Sequence, residues 1–243
     1  MNLIIDVGNT RVKVAVFEIN TIKEVFIFEK EKIISELKKI ISKFKISGSI
    51  ISSVANFSDS DRDKIVELLD PIFLDNETKV PFSNFYHSPK TLGVDRIALA
   101  SAAVKKYPKK NVLVIDAGTC ITFDFINNKK EYLGGAISPG INMRYKALHN
   151  FTSKLPLLKP NEVLSFIGKD TKSSIHSGVV NGICNEISGV IKQYEDEYQD
   201  LTVVLTGGDT YFLAKQLKSG IFAHPNFVLE GLQTILTYNI AND

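Results

Sequence analysis

The chain has 243 residues, 44% hydrophobic and 23% charged, enough apolar material for one large core or two small ones, which excludes an intrinsically disordered protein. Its two cysteines, Cys120 and Cys184, are too few and too far apart for a disulfide framework or a zinc knuckle, which predicts a reducing, cytoplasmic location. The net charge of +2 is far from the strongly basic balance of a protein that binds nucleic acid through many phosphates, so no nucleic-acid partner is expected.

Charged residues interrupt every long apolar run, beginning with Asp6 in the first one. Because a membrane-spanning helix needs about 20 predominantly apolar residues, we expect no membrane span. The apolar residues at the N-terminus are β-branched and alternate, which indicates a strand rather than a signal peptide.

The most informative feature is a motif that occurs twice. Residues 3–10 read Leu-Ile-Ile-Asp-Val-Gly-Asn-Thr, and residues 113–120 read Leu-Val-Ile-Asp-Ala-Gly-Thr-Cys. Each copy predicts a buried strand that ends in an Asp-x-Gly turn, followed by a strand of period two, a polar turn and a third strand. The duplication predicts two similar α/β halves, residues 1–110 and 111–243, with a cleft between them.

Helical spacing of apolar residues predicts the other elements of both halves. In the first half, a buried strand is predicted over 49–54, and helices over 31–45, 60–69 and 95–107. In the second half, a buried strand is predicted over 203–205, and helices over 141–149, 174–198, 211–217 and 230–239. Pro139 is assigned to the start of the helix that continues through 141–149, because a first helical turn tolerates proline.

The Asp-x-Gly turn of residues 6–10 has the features of a phosphate-binding site. Its backbone N–H groups and the Thr10 hydroxyl could bind phosphate oxygens, and Asp6 could hold Mg²⁺ through water. An Asx turn at the end of a hairpin explains one copy equally well, but the second copy favours a ligand site. Arg11 and Lys13 could contact phosphate or lie on a solvated strand face.

Two further segments carry candidate residues. Residues 206–209, Thr-Gly-Gly-Asp, could seat a flat ring or a sugar on the backbone, or form a plain loop in which Asp209 caps the next helix. Asp95 and Arg96 adjoin at a predicted helix start, where the helix dipole and the guanidinium would keep the carboxylate charged and able to accept a proton. On spacing alone, the interpretation of Asp95 as a helix cap is favoured over a catalytic role.

Several common motifs are absent from the sequence. The four histidines show no metal-ligand spacing. Neither a P-loop nor a Rossmann glycine motif occurs, and there is no Gly-x-Ser-x-Gly nucleophile elbow.

Taken together and in this order, the motifs resemble those of the type III pantothenate kinases, members of the superfamily of actin, hexokinase and the Hsp70 ATPase domain. The resemblance covers nearly the whole chain and rests on Tyr86, Thr171 and residues 6–10, 92–96, 116–119, 134–140 and 206–209. It implies an α/β fold with duplicated ribonuclease-H-like, actin-like halves, in which mixed sheets are flanked by helices. Cys120 departs from the alanine that is common at this position in the family.

By this resemblance the chain would transfer the γ-phosphoryl group of ATP to pantothenate, giving 4′-phosphopantothenate in the first step of coenzyme A biosynthesis. The family implies Mg²⁺ with the ATP, a monovalent cation (K⁺ or NH₄⁺) held by Asp116, and a homodimer with the pantothenate pocket near the subunit interface. Asp95 would be the general base. The residues implied to bind ATP are Asp6, Val7, Gly8, Asn9, Thr10, Arg11, Val12, Lys13 and Thr119. Those implied to bind pantothenate are Tyr86, Gly93, Val94, Asp95, Arg96 and Thr171.

Two other function classes stay open at this point. A phosphatase or polyphosphate-cleaving enzyme of the same superfamily would share both Asp-x-Gly turns but would have no need of Tyr86 or residues 93–96. A non-catalytic accessory factor for transcription is the other class. The near-neutral charge and the lack of a recognition-helix motif disfavour direct DNA contact by such a factor.

Overall fold

The computed structural model describes residues 1–8, 11–53, 58–163, 165–217 and 221–242. The chain forms two compact units. Unit 1 contains Met1–Pro108, Lys130–Tyr132 and Phe227–Asp243, and unit 2 contains Lys109–Lys129 and Leu133–Asn226. The C-terminal segment thus clusters with unit 1, and the division into halves at residues 110 and 111 stays a prediction.

The secondary structure alternates between strands and helices along most of the chain. The strands are β1 (Asn2–Val7), β2 (Val12–Glu18), β3 (Thr21–Phe28), β4 (Gly48–Ser53), β5 (Ile72–Phe73), β6 (Ser83–Asn84), β7 (Asn111–Ala117), β8 (Cys120–Ile126), β9 (Glu131–Pro139), β10 (Leu201–Thr206) and β11 (Phe222–Ala223). The helices are α1 (Ile33–Lys43), α2 (Asp59–Leu69), α3 (Val94–Lys106), α4 (Ile141–Asn150), α5 (Thr171–Glu197), α6 (Thr210–Gln216) and α7 (Phe227–Ile240). Among the described residues, none of these helices is both long and apolar enough to cross a bilayer.

Unit 1 is built on a mixed sheet with the strand order β3-β2-β1-β4-β5. The first three strands pair antiparallel, as the predicted meander requires, and β4 pairs parallel to β1. The stripe of α1, with Ile33, Leu37 and Ile40 buried at helical spacing, packs in the same core as β1 and β2. A Cβ on Gly231 of α7 would overlap the Ala98 carbonyl group of α3, so these two helices pack with their backbones in close approach.

Unit 2 repeats the same start. β7 pairs antiparallel with β8 and parallel with β10, and the sheet runs in the order β11-β10-β7-β8-β9. One side of this sheet is covered by α5, whose buried stripe is Ile175, Val179, Val180, Ile183, Ile187 and Ile191. The first two residues of β9 belong to unit 1, where they pair in parallel with β6.

Helix ends differ from the predicted ends where side chains cap the backbone. α5 begins at Thr171 rather than residue 174, because Asp170 and Ser173 form a capping box that satisfies the first N–H groups. The assignment of Pro139 to the start of α4 is wrong. Pro139 is the last residue of β9 and Gly140 is the helix N-cap; a strand end tolerates proline because no further ladder hydrogen bond is needed from its nitrogen.

Candidate functional site

Asp6 lies at the carboxyl end of β1, between two neighbouring strands. It is opposite Lys13 of the antiparallel strand β2 and beside Ser52 of the parallel strand β4. The fully buried Ser52 hydroxyl donates a hydrogen bond to Asp6 Oδ1 at 3.4 Å. The sheet register therefore places a hydroxyl donor and a lysine on the two sides of this carboxylate.

Burial, and to a smaller extent the charge of Asp95, raise the pKa of Asp6 to about 6, although Lys13 and the Ser52 hydroxyl act in the opposite direction. Two observations follow. The Asp6 carboxylate is held in a setting that penalises its charge, and Asp95 is near enough to interact with it electrostatically. Buried acids with strongly perturbed pKa values cluster at functional sites.

The turn after Asp6 is closed by a hydrogen bond from the Gly8 N–H to the Arg11 carbonyl oxygen at 3.1 Å. Asn9 and Thr10, both assigned to ATP binding by the resemblance, lie outside the described residues. Val7 and Val12 are fully buried and pair across the hairpin, so they contribute backbone rather than side chain to any ligand there. Arg11 is exposed.

Asp95 lies in the first turn of α3, in unit 1 with Asp6. The N-cap of this helix is Gly93, followed by Val94, so Asp95 does not occupy the capping position. Asp95 Oδ1 instead accepts a hydrogen bond from the Arg96 backbone N–H at 2.9 Å. This contact fixes the carboxylate against the helix start, where the positive end of the helix dipole favours a negative charge.

The Arg96 side chain is almost completely buried, at 5% exposure, which is unusual for arginine. Its guanidinium carbon lies 5.6 Å from the ring centroid of Tyr86 and 5.9 Å from that of Tyr132. Tyr86, which is half-buried, thus lies against Arg96. Tyr132 was not among the predicted site residues.

In unit 2, Asp116 ends β7 just as Asp6 ends β1. It lies opposite Thr122 of β8 and beside Thr206 of β10. The Gly118 N–H donates to the Cys120 carbonyl oxygen at 2.9 Å, which parallels the bond that closes the first turn. The second turn is one residue shorter, because Ala117 pairs with Ile121 whereas Val7 pairs with Val12. Thr119, in this turn, is exposed.

Three sequence motifs of unit 2 converge on this second turn. The Asp209 N–H donates to the Ala117 carbonyl oxygen at 2.9 Å, and the Gly140 N–H donates to the Thr119 carbonyl oxygen at 3.2 Å. A Cβ on Gly140 would overlap the carbonyl oxygens of Gly118 and Thr119. The segments 116–119, 134–140 and 206–209, which are far apart in sequence, therefore meet at one end of β7.

Gly207 has a φ of +95°, which favours glycine, and a Cβ there would overlap Asp116 Oδ1 and the Ala117 carbonyl oxygen. The Asp116 carboxylate is therefore packed directly on the glycine backbone. Asp209 stands at the N-cap position of α6 without a capping hydrogen bond from its side chain, and burial raises its pKa. A simple capping role does not account for Asp209.

Thr171 is the first residue of α5 and is exposed. It lines a cavity of about 760 Å³ in unit 2, between α4 and α5, which is also lined by Arg144, Leu148, Leu155, Ile175 and Val179. The Arg144 guanidinium donates to Glu186 Oε2 at 2.5 Å and to Ser138 Oγ at 3.0 Å. Thr171 is therefore beside an apolar cavity of unit 2.

The residues that sequence reasoning missed are Ser52 and Tyr132. Ser52 carried a recoverable signal, because a polar residue at the end of a buried parallel strand lies at the edge of the sheet where ligands bind. Tyr132 carried none, since its approach to Arg96 depends on the pairing of β6 with β9.

Comparisons with known proteins agree with these motifs. A family model described as type III pantothenate kinase matches residues 2–193. A type III pantothenate kinase of Flavobacterium johnsoniae is 48% identical over 244 residues, covering 100% of this chain and 100% of its own.

Solved structures are similar at lower identity. A protein of Campylobacter jejuni described as a putative Baf family transcriptional activator is 22% identical, with a TM-score of 0.65, over 98% of this chain and 99% of that chain. A glucokinase from an Antarctic psychrotroph is 11% identical, with a TM-score of 0.53, over 98% of each chain. At such identities these structures show the fold alone. The predicted fold class, duplicated actin-like α/β halves with mixed sheets, is confirmed.

Proposed function

We propose a residue assignment for pantothenate phosphorylation, because the chain belongs to the type III pantothenate kinase family and therefore transfers a phosphoryl group from ATP to the alcohol group of pantothenate. The observation that best supports this activity is the 48% identity to a type III pantothenate kinase over the whole length of the chain. This reaction opens coenzyme A biosynthesis. Neither a phosphatase nor an accessory transcription factor is favoured by the relatives.

ATP is assigned to residues 6–13 of unit 1 and to Thr119 of unit 2. The support in unit 1 is a glycine turn at a strand end, beside a buried acid, a lysine and a hydroxyl. The donors at Asp6 are oxygen atoms, which fits Mg²⁺ because this ion prefers oxygen ligands and keeps several waters. Mg²⁺ bound with the nucleotide supplies positive charge to the transferring phosphoryl oxygens.

Asp95 is assigned as the general base. Since Oδ1 accepts the Arg96 backbone N–H, we place the proton from the pantothenate hydroxyl on Oδ2. Phosphoryl transfer asks the protein mainly for positioning and for positive charge near the transferred group, and Arg96 supplies a buried cation next to this base. A positioned base contributes about 10² to 10⁴ in rate.

Pantothenate is assigned to Tyr86, Gly93, Val94, Asp95, Arg96 and Thr171. The support is the contact between Arg96 and Tyr86 at the start of α3. The Val94 and Gly93 backbones open that helix and bring its N–H groups to the same place.

Asp116 is assigned to a monovalent cation, K⁺ or NH₄⁺. Asp116 Oδ1 and the Ala117 carbonyl oxygen both lie against the Gly207 backbone, and hard oxygen donors of this kind suit such an ion. The cation would balance negative charge near Asp116. Replacing K⁺ by Na⁺ in the activity assay tests this assignment, and equal rates in both salts would contradict it.

The chain is proposed to form a homodimer, and its interface is assigned to the apolar face beside Thr171. The segment between α4 and α5 exposes large apolar side chains next to the 760 Å³ cavity: Phe151 at 88%, Phe166 at 81%, Ile167 at 60% and Leu157 at 55%. Such a patch is typical of an interaction surface. Phe166→Ser should shift sedimentation toward the monomer, whereas the matched exposed aromatic on α6, Tyr211→Ser, should not. A monomeric wild-type chain would contradict the assignment. A cytoplasmic location also stays a prediction.

The first test of the function is ADP release with and without pantothenate. We expect release that depends on pantothenate. Phosphate release from ATP or polyphosphate without pantothenate would instead support a hydrolase.

The second test is Asp95→Asn, which should lower kcat at least about tenfold, with a smaller change in the KM for ATP. The control is Asp59→Asn, which removes an acid from the first turn of α2 and should leave kcat unchanged. Unchanged turnover in Asp95→Asn would show that Asp95 only stabilises the start of its helix.

A further inference from the structure

The guanidinium of Arg96 lies against two tyrosine rings of unit 1. The distances from its central carbon to the ring centroids are 5.6 Å for Tyr86 and 5.9 Å for Tyr132, and the two rings are 6.2 Å apart at an interplanar angle of 51°. Both distances are within the range of a cation–π contact, which is about 6 Å. The three groups therefore form a compact triangle.

The two rings differ in how firmly they are held. Tyr86 is half-buried and lies two residues after the end of β6. Tyr132 is completely buried, and its ring also contacts Phe82 at 6.0 Å. Of the two rings, Tyr132 is thus the one held firmly in the core, and Tyr86 is the one nearer to solvent.

Backbone pairing holds Tyr132 in register with the Tyr86 segment. Asn84 of β6 pairs with Tyr132 of β9, and the Phe85 N–H donates to the Tyr132 carbonyl oxygen at 3.0 Å. The Asn84 side chain then accepts the Tyr86 N–H at 3.0 Å. A shift of Tyr132 would therefore displace Tyr86 as well as one face of Arg96.

We propose that Tyr132 is a positioning residue for pantothenate binding, because it holds the Arg96 guanidinium in one orientation before the substrate arrives. Arginine has many rotamers, and a side chain ordered in advance does not lose that freedom on binding. An aromatic face stabilises the buried cation without bringing an opposite charge to it. This inference rests on the proposed role of Arg96 in binding pantothenate.

Kinetics of three variants test the proposal. Tyr132→Leu removes the aromatic face and should raise the KM for pantothenate about tenfold, while the KM for ATP changes less than about twofold. Tyr132→Phe keeps the face and should stay within about twofold of wild type for both substrates. The matched control is Phe82→Leu, which removes an aromatic ring that packs on Tyr132 at 6.0 Å and leaves the Tyr132 ring in place; its KM for pantothenate should not change.

An isosteric variant keeps the test decisive if Tyr132→Leu fails to fold. Pentafluorophenylalanine at position 132 keeps the ring shape but reverses its quadrupole, so the ring face no longer attracts a cation. It should raise the KM for pantothenate several-fold while the melting temperature stays near that of Tyr132→Phe. A KM equal to that of Tyr132→Phe, or an equal rise in Phe82→Leu, would overturn the proposal.

A measurement that does not depend on enzyme activity distinguishes failure of this inference from failure of the proposed function. The chain has four arginines, so the Nε–H signal of Arg96 can be assigned in an NMR spectrum from Arg96→Lys. We expect ring-current displacement of this signal in the wild type from both tyrosine rings, and a shift of the signal in Tyr132→Leu but not in Phe82→Leu. If wild type shows no pantothenate-dependent ADP release, the proposed function fails while the NMR result still decides the position of Arg96. An Arg96 signal that is the same in Tyr132→Leu and wild type would overturn the inference.

Discussion

Replacing Asp6 by asparagine should stabilise the protein while it impairs ATP use. The substitution keeps the shape of the side chain and the acceptor for the Ser52 hydroxyl, but removes a charge that burial and the neighbouring Asp95 both disfavour. Sites that bind charged ligands commonly carry strain of this kind. The effect on stability should depend on pH.

The size and sign follow from the two pKa values. Asp6 titrates at about 6 in the folded chain, whereas an unfolded aspartate titrates near 3.9. The folded chain therefore binds more protons than the unfolded chain between these values, and the stability that Asp6 contributes is lost as pH rises from about 4 to about 6. The difference corresponds to about 3 kcal/mol above pH 6, an upper bound because Asp6 keeps some exposure to solvent.

The assay is urea unfolding of wild type and Asp6→Asn at about pH 4 and pH 8, without nucleotide and with a chelator. We expect the variant to be more stable by about 1–3 kcal/mol at pH 8 and equal to wild type at pH 4. An equal gain at both pH values would refute the reasoning, because it would point to packing rather than charge. No gain at pH 8 would show that the Asp6 carboxylate is well solvated.

Asp75→Asn is a control with the opposite sign. Burial tends to raise the pKa of Asp75, but hydrogen bonds from the Thr78 hydroxyl and from the N–H groups of Glu77 and Thr78 outweigh it and leave the pKa below its usual range. The folded chain therefore stabilises this charge. Asp75→Asn should lower stability at pH 8, and the loss should vanish in acid as pH falls through the folded pKa.

Two substitutions test the backbone around the sites. Gly207→Ala should destabilise unit 2 by about 2 kcal/mol or more in urea unfolding, because its φ is positive and the Cβ would strike Asp116, whereas Gly208→Ala, with open space around it, should cost less than about 1 kcal/mol. Ser58→Ala removes the side chain that accepts the Asp61 N–H at the start of α2 and should cost about 1 kcal/mol, while unchanged stability would show that water replaces this cap.

The repeated strands were predictable because their signal is local. Alternating apolar residues after each Asp-x-Gly turn specify a hairpin whatever the rest of the chain does, and β1–β3 and β7–β9 follow the predicted order. The stripe of α1 specified its buried face in the same way. Helix starts were less predictable. A capping box sets the start of α5, and α4 begins later than predicted because β9 continues through Pro139.

The features of the candidate site also divide into those that local sequence predicts and those that only the fold creates. Asp6, Asp116 and Asp95 were found because each stands at the end of a recognisable element, and the structure places Asp6 and Asp95 within electrostatic reach in unit 1. The contact of Gly207 with Asp116 was not predictable from the motifs, although both motifs were identified. Their contact arises from the parallel pairing of β7 with β10.

The sequence by itself determined the duplicated strand-turn units and the acids that end them, because hydrophobic period and turn residues act over a few neighbours. Tertiary structure alone decided which distant side chains adjoin those acids. Ser52 reaches Asp6 through the register of β1 with β4, and Tyr132 reaches Arg96 through the pairing of β6 with β9. Strand register depends on burying whole faces of a sheet at once, so no short stretch of sequence contains it.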